Sequence, residues 1–239
     1  MSTAGALVIG GDYRGLGIVR SLGRKGVRVF VAHDEHWLAG RSRFARGRLS
    51  WPASDEERVS FLLGLARDGL EGWAIFPTAD DTAAFVARHH EELRPHFRLT
   101  TPPWETFRWA FDKRLTHQLA RRCGLEEPWT DVPRDRDHLR DLACPFPAIV
   151  KPAFRAESDP FTTTKAWRAD DPDTLLRRYD EASALYEPGR VLVQELIPGG
   201  GEHQFSFAAL CVRGEARASV VARRARQWPS ARRPGRRRW

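Results

Sequence analysis

The sequence predicts an α/β protein whose first third forms a parallel, doubly wound sheet and whose remainder forms a second α/β module. Three observations carry this expectation. Short apolar runs rich in β-branched residues alternate with stretches of helical spacing. A glycine-rich turn joins the first run to the first helical stretch, and consecutive prolines break the pattern just after residue 100.

Each element follows in order. Residues 6–9 read as a strand, 10–17 (GGDYRGLG) as a turn opening a helix that continues through 18–22, and 27–32 as a second strand, together a βαβ unit. Residues 56–67 have helical spacing, 73–76 read as a buried strand, and 80–93 as a helix for which Thr78 or Asp80 is the candidate cap. Such alternation lays strands side by side in parallel and puts helices on both faces. The run LTTPP at 99–103 ends the module, so a Rossmann-like domain is expected over 1–102 and a second over 103–228. The second reads as helices over 104–123, a strand near 129–132, a helix over 136–142, strands at 148–151 and 165–168, and a helix over 173–185. A strand at 191–195 and an antiparallel pair, 204–212 with 217–224, complete it.

Composition narrows the class. With 239 residues, 41% of them hydrophobic, the chain can bury the core of one or two domains. It has no run of about eighteen apolar residues and no charged n-region before a long apolar stretch. A cytoplasmic protein with no membrane partner is therefore expected. Cys123, Cys144 and Cys211 are odd in number and widely spaced, which speaks against a disulfide framework or a structural zinc site. The net charge is +8, but residues 213–239 hold ten arginines and one acid, leaving the rest at −1. A nucleic-acid partner is thus not indicated for the body. Residues 229–239 (PSARRPGRRRW) read as a disordered basic tail.

The glycine turn offers backbone N–H groups and a helix dipole to an anion. Its glycines at 11, 15 and 17 run G-x-x-x-G-x-G rather than G-x-G-x-x-G, although Asp34 or Glu35 follows the second strand where a ribose reader would sit. An NAD- or FAD-dependent oxidoreductase is one alternative. Glycines that simply allow close packing of strand and helix are the other. His33 and His36 flank the two acids and are a candidate metal pair, though a solvated loop cluster reads equally well.

The lysines are the sharper signal. Only Lys25, Lys113, Lys151 and Lys165 stand against thirty-five arginines. A lysine kept in that background suits a task that wants a compact ammonium, such as meeting a phosphate, though codon usage would also make lysine rare. Lys25 reads as an ordinary helix-end residue. Lys113 follows Phe111-Asp112 at a helix head, Lys151 ends the apolar strand FPAIVKP, and Lys165 begins another strand. Then comes VLVQELIPGGGEHQFSF, 191–207, an apolar strand leading through two acids and three glycines into the next.

This ordered set resembles the ATP-grasp superfamily, in particular its bacterial carboxylate–amine ligases, over nearly the whole chain. The resemblance implies a pre-ATP-grasp domain followed by an incomplete ATP-grasp domain. It implies that Lys113, Lys151 and, more weakly, Lys165 meet ATP phosphates. Gln194, Glu195, Leu196 and Ile197 (QELI) would form the hinge beside adenine, and Glu202 would accept from ribose hydroxyls. It further implies ATP-dependent joining of a small-molecule carboxylate to an amine through an acyl phosphate, with Mg²⁺. A non-catalytic nucleotide-binding fragment is the alternative within the same resemblance.

The chain departs from the family twice. After Gln227 there is no Asp, Glu or Asn, so no oxygen-ligand site for Mg²⁺ can be built from that end. The expectation is that residues to about 229 are the genuine fold and that the tail is out-of-frame or truncated sequence, with the metal-binding lobe missing. The stretch 153–164 (AFRAESDPFTTT) also lacks the glycines of a phosphate-covering lid.

Overall fold

A computed structural model describes residues 4–33, 36–153, 166–187, 189–199 and 203–225. The chain falls into two compact units, Met1–Glu195 and Leu196–Trp239. Lys165, Glu202, Asp34, Glu35, most of the 153–164 stretch and the basic tail lie outside the described residues.

In the first unit, β1 (Gly5–Ile9), β2 (Arg28–His33), β3 (Gly47–Ser50), β4 (Ala74–Pro77) and β5 (Arg98–Leu99) form one sheet. Its order is β3-β2-β1-β4-β5, and every pairing is parallel. Central β1 is buried along its whole length, as a strand covered on both faces must be. Its alternation splits the core. Leu7 and Ile9 pack with Leu62, Trp73, Ile75 and Phe85, while Ala6 and Val8 pack with Val19, Val29 and Val31.

Helix α1 (Tyr13–Gly23) starts inside the glycine turn, and helix α2 (Asp55–Leu65) is closed by a reciprocal capping box between Ser54 and Glu57. The helix expected over 80–93 breaks at His89 into α3 (Asp80–Arg88) and α4 (His90–Leu93). Neither proposed residue caps it. Thr78 donates its hydroxyl to the Ile9 carbonyl at 3.0 Å, and the Thr82 hydroxyl closes the first turn on Ala79. Strands β3 and β5 were not expected. Both are short edge strands: GRLS has no apolar run, and β5 falls at the start of the proline-marked break.

The same unit carries a second sheet of β6 (Thr130–Asp131), β7 (Ala148–Pro152), β8 (Trp167–Ala169) and β9 (Val191–Glu195). Its order is β6-β9-β7-β8 and all its pairings are antiparallel. The remaining helices are α5 (Trp104–Phe111), α6 (Lys113–Arg122), α7 (Arg136–Asp141) and α8 (Pro172–Ser183). One sheet face buries Ala148, Val150, Ala169, Val191 and Val193 against Leu139 of α7 and Leu175, Tyr179 and Ala182 of α8. The Tyr179 hydroxyl finds the Pro133 carbonyl at 3.0 Å, so the aromatic ring can be buried without stranding its polar end.

The second unit holds an antiparallel hairpin, β10 (Phe205–Val212) with β11 (Glu215–Arg223). Arg213 and Gly214, both at positive φ, form its two-residue turn, whose twist matches that of the strands. No helix among the described residues is long and apolar enough to cross a membrane.

Candidate functional site

The antiparallel sheet has a second face, and strand parity decides what lies there. On β7 the core-facing residues alternate with Ile149 and Lys151. In the β7/β9 register Ile149 faces Gln194 and Lys151 faces Leu192. Thr130 of β6 is paired with Gln194, and Arg168 of β8 with Ile149. An apolar patch of Ile149 and Leu192 is thus bordered by Lys151, Gln194, Thr130 and Arg168.

Lys151 is half-buried and donates Nζ to Gln194 Oε1 at 2.6 Å. This is a diagonal contact across the two strands. Gln194, only 7% exposed, sends Nε2 to Thr130 Oγ1 at 2.7 Å and to His117 Nε2 at 3.2 Å. Accepting there leaves His117 protonated at Nδ1, which lies 2.5 Å from Glu127 Oε2. Arg121 closes the chain by pairing with Glu127 and donating to the Thr130 carbonyl at 3.1 Å. Desolvation would raise the Glu127 carboxyl, but the hydrogen bonds from His117 and Arg121 bring it below its ordinary value.

Lys113 reaches the same place from α6. Its backbone N–H and its Nζ both donate to the Ala153 carbonyl, each at 3.1 Å, just beyond the end of β7. The helix starts there because Asp112 caps it, accepting from Arg114 N at 2.9 Å and pairing with the Arg114 guanidinium. Arg114 in turn donates to the Gly189 carbonyl at 2.8 Å. Burial pushes the Lys151 ammonium from 10.5 down to about 8, and the Lys113 charge pushes in the same direction. Two ammonium groups therefore converge on one end of the sheet. Cations gathered like this are relieved by an anion.

The sequence-selected residues separate accordingly. Lys113, Lys151 and Gln194 come together. Glu195, in register with Ala148, has core-side parity and gives its backbone N–H to the Trp129 carbonyl at 2.9 Å. Leu196 is partly buried and Ile197 is 64% exposed, and both begin the second unit. Sequence reasoning missed His117, Glu127 and Thr130. Only the fold brings them to Gln194, and a histidine four residues after Lys113 on one helix face is too common a pattern to have singled them out.

The glycine turn is not favoured as a dinucleotide site. Asp12 caps α1, accepting from Arg14 N at 2.9 Å and Gly15 N at 3.3 Å, so a carboxylate occupies donors a pyrophosphate would need. The glycines serve packing instead. A Cβ on Gly11 would lie 1.5 Å from the His36 carbonyl oxygen, and Gly10, at φ +121°, would meet the Thr78 hydroxyl at 1.9 Å.

Solved structures match this architecture. The chain superposes on an L-amino acid ligase from Bacillus licheniformis with a TM-score of 0.65 at 15% identity, covering 95% of this chain and 52% of that one. A carboxyaminoimidazole ribonucleotide synthase from Aspergillus clavatus, complexed with ATP, gives 0.64 at 15% identity, covering 92% and 53%. The biotin carboxylase domain of the Hydrogenobacter thermophilus 2-oxoglutarate carboxylase, in complex with MgADP, gives 0.59 at 16%, covering 80% and 44%. The fold is therefore ATP-grasp-like, of the kind found in carboxylate–amine ligases. The chain spans about half the length of these structures. No family model and no curated protein matches the sequence.

Proposed function

We propose that this chain binds ATP at the end of β7, on the face of the antiparallel sheet that carries Lys151, and that the bound nucleotide serves the ligation of a small-molecule carboxylate to an amine. The convergence of Lys113 and Lys151 at the end of β7 carries this reading. The two ammonium groups neutralise phosphate oxygens, and a phosphate in turn relieves the repulsion that lowers Lys151. Ile149 supplies apolar surface for a base; Glu195, Leu196, Ile197 and Glu202 are assigned to base edge and ribose, and Lys165 to a third cation, from the order of the motifs along the chain alone. Gln194 positions Lys151 and does not touch the nucleotide, because its amide is already spent on Lys151, Thr130 and His117.

The chemistry such a grip serves is activation of a poor electrophile. Oxide is too poor a leaving group for an amine to displace from a carboxylate; phosphate is a good one, so the carboxylate is first converted to an acyl phosphate. Magnesium would spread the charge of that transfer. Among the described residues no group of three or more His, Cys, Asp or Glu is placed to hold a metal ion.

Thermal stabilisation tests it directly. ATP should raise the melting temperature with or without magnesium, and NAD should not. Stabilisation by NAD alone would overturn the reading.

A further inference from the structure

We infer that a groove walled by α3, α5 and α6 is a binding site for a planar aromatic carboxylate. Its volume is about 400 Å³, within the range of small-molecule pockets. Trp104, Arg108 and Phe111 line it from α5, at spacings of four and three residues that put them on one helix face. Arg88, the last residue of α3, joins them, with Arg114 and Leu115 of α6. The groove lies away from the glycine turn. Strands β1 and β4 end side by side at Ile9 and Pro77, and α3 leaves that end and carries Arg88 roughly 12 Å from it.

The lining specifies the occupant. Helix α5 holds four aromatic side chains in eight residues, and none of the eight is buried, so ring surface is left to cover. The Trp104 and Phe111 ring centroids are 5.7 Å apart, and the Arg88 guanidinium carbon lies over the Trp104 ring, 4.8 Å from its centroid. Two rings and one cation therefore form a continuous surface. Stacking on an indole spends no N–H donor, and among the described residues the Arg88 side chain has no hydrogen bond or ion pair, so its whole fork is available. Arg108 pairs with Glu105 at 3.2 Å, but its Nε is buried with no hydrogen-bond partner among the described residues. Arg114 is taken up by Asp112 and the Gly189 carbonyl, which also accounts for the one acid in the lining. The charge left over is positive, and its complement is an anion. In an aryl carboxylate the two oxygens are joined directly to a flat ring, so one ligand meets both the fork of an arginine and the faces of Trp104 and Phe111. Neither Lys113 nor Lys151 lines the groove, and the inference is independent of nucleotide binding.

The test is calorimetric titration of the full chain with 2-naphthoate. It should bind with a dissociation constant below about 1 mM. Acetate, which lacks the ring, and 2-naphthylmethylamine, which carries a cation in place of the anion, should each bind about tenfold more weakly or worse. Arg88→Gln removes the charge from an exposed side chain that holds no other part of the fold. It should keep the wild-type melting temperature and weaken 2-naphthoate about tenfold. Trp104→Leu should reduce the preference for 2-naphthoate over acetate by a similar factor. No binding of 2-naphthoate up to about 10 mM, equal binding of the amine, or wild-type affinity in Arg88→Gln would overturn the inference. The last result would mean that the anion is drawn by the arginine-rich chain at large and not by this groove.

Discussion

At the scale of the residue, Lys151 is the group whose environment says most. Its ammonium lies at about 8 rather than 10.5 because it is half-buried and faces Lys113. Below about pH 8 the group is charged in both folded and unfolded chains, and the fold bears the full penalty. Between about 8 and 10.5 the unfolded chain holds more of the proton, so stability rises with pH. Denaturant melts of wild type and Lys151→Met across that window should show the wild type gaining on the variant. The proposed ATP binding would follow the opposite course, since it needs the charged form. Affinity should fall about thirtyfold between pH 7 and 9.5, and Lys151→Ala should lose ATP stabilisation while keeping a cooperative melt. If Lys151→Ala unfolds instead, the lysine is structural. Gln194→Glu would set a carboxylate against the ammonium and should raise its pKa, followed by ¹³Cε NMR titration.

Elements explain why these residues meet. A two-residue periodicity in β7 and β9 sends Val150 and Val193 to the core and Lys151 and Gln194 to the other face. Asp112 fixes where α6 begins, and so where Lys113 stands. The glycine turn is a second element whose role is geometric. Asp12→Ala removes the cap of α1 and should cost about 1 kcal/mol in urea melts. Gly11→Ala drives a Cβ into the His36 carbonyl at 1.5 Å and should cost about 1–3 kcal/mol, or more if the backbone cannot yield. A cost below that of the cap variant would show the turn to be more open than described.

For the molecule as a whole, the sequence was legible where a local pattern meets a single demand. Apolar runs alternating with helical spacing indicated the parallel sheet, and all but two short edge strands were found in order, because only interior strands must be apolar. The ATP-grasp-like fold was legible in the order of motifs along the chain, and solved structures share it at about half their length. Local pattern says nothing about partners far along the chain. Gln194 lies 77 residues from His117 and 43 from Lys151, yet one amide joins them. The sequence by itself determined the class of fold and which lysines were worth following. Only the tertiary structure decided that Gln194 accepts from Lys151 and that Asp12 takes the first donors of α1 at the glycine turn. The reason is physical. Periodicity is set within a turn or a strand, whereas the partner of a polar group is set by whichever distant segment packing brings to it.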